Sequence, residues 1–209
     1  GNVAKAYIVQ DTQLDSQSGA NSDGRIINPL ALNLYVLGFN ATKKLAIVNQ
    51  AVKENIQTYL TQFRMVTDAV NIKNAFVINV GVNFSLLTKV GYNKEEVVLK
   101  AIQKVKDYFN IDKWQIGQPI VLADIAYQLS LVDGVSAVVP PEEDNPNGLP
   151  VLITNKFKVS GGYSGNIYNI NQATKDGIVY PSLDPSCFEL KFPNADIQGR
   201  VIGDSTGGN

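Results

Sequence analysis

Residues 75–87 carry the clearest pattern in the chain. Phe76, Ile78, Val80, Val82, Phe84 and Leu86 alternate with Ala75, Val77, Asn79, Gly81, Asn83 and Ser85. Period two over this length predicts a strand with one buried apolar face and one small, half-polar face. On that reading Phe76, Ile78, Val80, Val82 and Phe84 all face the helices, and Gly81 marks a bulge or bend. Residues 3–9 and 30–39 also alternate and predict strands.

A second period, near 3.6, appears twice. Leu45, Val48, Val52, Ile56, Tyr59, Leu60 and Phe63 predict a long helix over about 43–63, capped by Asn40 or Thr42. Val97, Val98, Ala101, Ile102, Val105, Tyr108 and Phe109 predict another. Asn93 is its N-cap, with Glu96 three residues on to close a capping box. After the turn at 111–118, with Gly117 and Pro119 to stop helix propagation, residues 123–131 predict a shorter helix. Ile125, Ala126 and Leu129 face inward from it. Asp133-Gly134 ends it and residues 135–139 form a short strand.

Between these elements the pattern breaks. Residues 11–24 are rich in Ser, Asn and Gly and read as a mobile loop. Residues 141–149, with their prolines and acids, sustain neither helix nor ladder and mark a boundary. Beyond it come short strands near 151–159 and 188–192, joined by Gly-rich turns. The fold class expected is therefore α+β. Residues 1–140 form a mixed sheet of about four strands with helices packed on one face, and residues 150–209 form an irregular β-rich appendage.

Charge adds little to this picture. The chain has 209 residues and a net charge of -1, so it offers no basic footprint for nucleic acid or anionic membrane. Its apolar runs fall short of the ~20 residues of a membrane helix. A lone cysteine, Cys187, excludes an internal disulfide and suits a reducing compartment. The opening Gly1 and the small polar tail read as the C-terminal piece of something longer.

Candidate chemistry is thin. The chain has no histidine, which removes Ser/His/Asp and Cys/His nucleophilic machinery and His-containing metal sites. Gly162-Tyr163-Ser164-Gly165 fails the nucleophile-elbow spacing, because Asn166 stands where the last glycine belongs. It reads as a turn. Residues 19–30 and 143–154 match calcium loops only in part: Leu30 and Thr154 stand where the bidentate Glu is needed. Glu142, Glu143 and Asp144 are adjacent in a loop and poorly placed to flank a sugar. No cofactor, metal or small-molecule substrate is expected.

Aromatic side chains are the better candidates. Trp114 reads first as a core lid over the helix pair and second as an interface anchor. Tyr163, Tyr168, Tyr180, Phe188 and Phe192 lie in a stretch with little core of its own and suit partner contacts. A carbohydrate- or receptor-binding module using this aromatic region is the alternative function.

Several runs carry a family resemblance: Tyr108 to Ile116 with Gly134-Val135; Tyr180-Pro181-Ser182-Leu183-Asp184-Pro185; Phe188-Glu189; Pro193 to Val201; and Tyr59 to Asp68. Spanning about residues 45–202, they resemble the C-terminal part of the baseplate wedge protein of T-even-like contractile-tail phages, a relative of the baseplate J family. The resemblance implies a structural subunit without catalytic residues. It implies that two copies join one copy of another wedge protein, and that copies pair with each other to close the inner ring around the hub. It also implies a place in the virion tail after assembly in the host cytoplasm.

Overall fold

The computed structural model describes residues 3–10, 31–63, 69–141, 145 and 148–205. The expected mobile loop at 11–24 and the acidic residues 142–144 lie outside the described residues. The described chain is α+β, with mixed sheets and helices. It divides into two compact units.

The first unit comprises residues 1–77, 115–117 and 181–187. Its sheet has β2 (Ala31–Phe39) at its centre, with β1 (Val3–Gln10) antiparallel on one side. On the other side lie the short β3 (Leu45–Ala46), antiparallel, and β4 (Ala69–Asn74), parallel. Helix α1 (Gln50–Thr61) connects β3 to β4. Val52, Ile56 and Leu60 on α1, with Val70 and Ile72 on β4, pack against Leu34, Val36 and Val48.

This helix begins later than its apolar period predicts. Asn40 does not cap it: its side-chain oxygen accepts from the Thr42 and Lys44 amides, 2.9 Å each. That local turn, with Lys43 at φ 55°, reverses the chain from β2 into β3. Leu45 and Val48, which fit a helical stripe, are buried ahead of the helix instead. Asn49 is the cap, accepting from Val52 N at 3.0 Å. A polar Asx turn outcompetes the helix because its side chain satisfies the amides a helix would leave orphaned.

The second unit comprises residues 78–114, 118–180 and 188–209. It is built on β5 (Phe76–Lys89). Strand β12 (Ile197–Ser205) runs parallel to it, and β7 (Val135–Val139) and β8 (Val151–Asn155) run antiparallel to it. With β11 (Ser186–Glu189) they make a five-stranded sheet. Helix α2 (Lys94–Tyr108) packs on β12, and α3 (Leu122–Ser130) packs on α2, β7 and β8. A small ladder joins β6 (Ile120–Val121), β10 (Ile178–Val179) and β9 (Thr174–Lys175).

The strand reading needs three corrections. Phe76 is 47% exposed, whereas Ile78, Val80, Val82, Phe84 and Leu86 are buried. The alternate face is covered too: Val77, Asn79 and Ser85 are buried. Strands of a parallel-containing sheet are commonly covered on both faces, and here small side chains leave room for the cover. Gly81 is neither bulge nor bend, since the ladder to β8 passes through Gly81↔Thr154 without a shift. It is a close-approach site: a Cβ there would lie 2.6 Å from Lys156 Cε and 2.8 Å from Thr154 Oγ1. The boundary drawn at 141–149 falls between β7 and β8, and both strands pair with β5. Residues 150–205 also supply β12, so the ladder of β5 takes strands from either side of that stretch.

Two further expectations are met, the second in part. Strand β7 spans the expected residues, and Asn93 caps α2 by accepting from Glu95 N at 3.0 Å. Glu96 spends its carboxylate on Lys100 (2.6 Å), so only half of the expected capping box forms.

Candidate functional site

All six aromatic candidates belong to the second unit, and two buried polar groups position most of them. The first is Asn79 on β5. Its amide donates to Glu189 Oε2 at 2.8 Å, and its side-chain oxygen accepts from Ser164 N at 2.8 Å. Its carbonyl accepts from Lys156 N (2.9 Å) and Asn155 Nδ2 (3.1 Å). Asn155 Oδ1 then takes Tyr168 N at 2.9 Å. One asparagine thus satisfies backbone donors that the irregular stretch 156–168 would otherwise leave unpaired.

The second is Asp196, buried in the short helix α4 (Pro193–Asp196). One carboxylate oxygen takes the Tyr163 hydroxyl at 2.5 Å and the other takes Phe192 N at 2.8 Å. Burial, reinforced by the hydrogen bond and negative charge of Asp196, pushes the Tyr163 hydroxyl up to about 12. The Tyr163 and Phe192 rings meet edge to face, centroids 5.3 Å apart, with Gly162 beneath Phe192. Gly162 has φ +83°, and a Cβ there would sit 3.2 Å from the Phe192 ring. Gly162 turns the chain after a 3₁₀ segment at Val159–Gly161, and Tyr163, Ser164 and Gly165 follow without regular structure.

The candidates therefore separate. Trp114 is buried, stacked on Phe109 at 5.2 Å and tilted against Tyr108 at 5.5 Å. Its indole nitrogen is buried without a hydrogen-bond partner. Phe188 is buried, 6.0 Å from the half-buried Tyr168, whose hydroxyl donates to Tyr180 O at 2.8 Å. Burial also raises the Tyr168 hydroxyl above its ordinary value. Tyr180 at 46% and Phe192 at 40% remain exposed. Packing inside the chain brings together Tyr163 with Phe192 and Tyr168 with Phe188, and leaves Tyr180 and Phe192 as the candidates reachable from outside.

Asn79, Glu189 and Asp196 lie outside the aromatic set that the sequence suggests. Asn79 occupies the alternate face that its period leaves for solvent, so periodicity hides it. Glu189 and Asp196 fall inside runs of the family resemblance, which was the available signal.

The arrangement offers structure rather than chemistry. Both oxygens of Asp196 are occupied as acceptors. Among the described residues no group of acidic or sulfur side chains could hold a metal. The two incomplete calcium loops lie wholly or partly outside the described residues. A shallow groove of about 260 Å³ lies over Asn83, Ser85, Gln198 and Arg200, where Arg200 Nε donates to Ser85 Oγ at 3.1 Å. It presents no pair of carboxyls and no nucleophile with a base.

No protein-family model matches the chain, and no curated protein matches it. In fold it is similar to a chain in the cryo-EM structure of the anti-feeding prophage (AFP) baseplate, 6-fold symmetrised, with a TM-score of 0.50 and 13% identity over 90% of this chain. It spans about a third, 34%, of that chain's length. At this identity the likeness is one of fold.

Proposed function

We propose that the chain is a structural subunit of a contractile-tail baseplate. The observation that carries this reading is the likeness of fold to an AFP baseplate chain across 90% of the present sequence. The sequence resemblance to the baseplate wedge protein of T-even-like phages supports the finer assignment: a J-like wedge subunit in the inner ring around the hub. On this reading the partners are other copies of itself and other wedge subunits, and the chain performs no catalysis. Buried polar groups that tie irregular backbone to a sheet suit such a part, which must hold its surface shape while neighbours pull on it.

The test is genetic and structural. Cells producing the contractile particle without this chain should accumulate tail components without assembled baseplates, and the supplied chain should restore them. Particles that assemble, contract and deliver normally without it would contradict the proposal.

A further inference from the structure

The cluster around Asn79 holds more chemistry than its structural role requires. Lys156 N donates to Asn79 O at 2.9 Å and extends the ladder past Val80↔Asn155, so Lys156 and Asn79 stand opposite each other on one face of the sheet. Opposed side chains on antiparallel strands have Cβ atoms about 5 Å apart, well within the reach of a lysine amine. The Lys156 stem runs over Gly81, two residues along the same face, where a Cβ would lie 2.6 Å from its Cε. Lys156 is half-buried, whereas Asn79 and Glu189 are fully buried.

The Asn79 amide is held as an acyl donor would be. Its carbonyl oxygen accepts from Ser164 N at 2.8 Å, a donor that polarises the carbonyl and is placed to steady an oxyanion on Cγ. Its nitrogen donates to Glu189 Oε2 at 2.8 Å. A neutral carbonyl would satisfy that nitrogen at a smaller desolvation cost than a buried carboxylate. A carboxylate can also take a proton from an incoming amine and return one to a departing nitrogen.

We propose that Lys156 and Asn79 join in an intramolecular isopeptide bond, with Glu189 as the catalytic acid and base. Turning the Lys156 stem back from Gly81 carries Nζ over Asn79, its neighbour across the ladder. The ammonium gives a proton to Glu189, and the neutral amine attacks Asn79 Cγ. A C–N bond forms and the oxyanion faces Ser164 N. Glu189 then protonates Nδ2, the Cγ–Nδ2 bond breaks and ammonia departs. The surplus proton on the new amide nitrogen passes through Glu189 to the ammonia, which leaves as ammonium. A lysine ammonium and a primary amide thus become a secondary amide and ammonium, with no oxidant or reductant. The bond stands on the geometry of this unit and not on the proposed function.

Mass spectrometry of the denatured whole chain tests it. The wild type should be lighter than its sequence requires by one ammonia, and digestion should release a branched peptide joining the Lys156 and Asn79 segments. Lys156→Arg should restore the full sequence mass. Glu189→Gln keeps an acceptor for the Asn79 amide but cannot relay protons, and should slow the bond about a hundredfold or more. A wild-type chain at full sequence mass after prolonged incubation would overturn the proposal. So would an ammonia loss that persists in Lys156→Arg, the mark of a cyclised asparagine rather than a cross-link. Bond formation in Glu189→Gln as fast as in wild type would overturn the catalytic role of Glu189. Should a variant fail to fold, the wild-type mass and the branched peptide still decide.

Discussion

Single side chains set the tightest constraints on this molecule. Gly199 on β12 lies under the ring of the buried Phe84, and a Cβ there would be 2.6 Å from Phe84 Cε2. Gly203 on the same strand has ordinary room, 3.7 Å from Leu87 Cδ2. We expect Gly199→Ala to cost about 1–3 kcal/mol through overpacking and Gly203→Ala to stay within about 0.5 kcal/mol, read by urea unfolding. Equal effects would show that Phe84 yields. Tyr163 gives a pH signature. Its hydroxyl titrates higher in the folded chain, about 12, than the ordinary 10.0. The protonated form is therefore favoured by folding. Its contribution is complete below pH 10 and is lost as the pH rises through about 12. The stability gap between wild type and Tyr163→Phe should be constant from pH 7 to 9.5 and shrink above pH 10. A gap that persists unchanged at pH 11.5 would contradict the Tyr163–Asp196 bond as its cause.

At the scale of elements, β5 organises the second unit. Val80 is fully buried midway along the strand, and an uncompensated carboxylate there is costly. Val80→Asp should abolish soluble folded protein, whereas Phe76→Asp, at an exposed position on the same strand, should fold with a midpoint within a few degrees of wild type. Circular dichroism on both variants checks this, and a folded Val80→Asp chain would remove β5 from the core. The strand was legible because alternation survives in sequence whatever covers it. Its second buried face was not, since Asn79, Gly81 and Ser85 resemble solvent-facing residues until Glu189 and the Ser164 amide arrive from far along the chain. Strand β12 is hidden in the sequence for a related reason. Gln198, Gly199, Arg200 and Gly203 interrupt its apolar pattern, and parallel pairing with β5 makes it a strand. Helix α1 is legible in its period but starts later than that period predicts, because Leu45 and Val48 keep the helical spacing by coincidence while Asn40 turns the chain. For the candidate site, the aromatic residue types were readable. Their division into Trp114 and Phe188 inside and Tyr180 and Phe192 outside depended on the tertiary cover.

For the whole molecule, the chain is proposed as a part whose outer surface does the work. Tyr180 is exposed, and its hydrogen bonds to Ala173 O and from the Tyr168 hydroxyl are made by its backbone, which a substitution keeps, so Tyr180→Ser should leave the thermal midpoint almost unchanged. If the aromatic region forms a subunit contact, the same change should lower incorporation into purified baseplates several-fold, since exposed tyrosines are strong interface anchors. Incorporation equal to wild type would remove Tyr180 from any contact. The most direct measurement of the central claim is a cryo-EM reconstruction of the contractile particle's baseplate from cells producing this chain. The expected result is density for both units of the chain in a ring around the hub, with each copy touching at least one other. Baseplates complete in density with no copy of the chain in them would contradict the account.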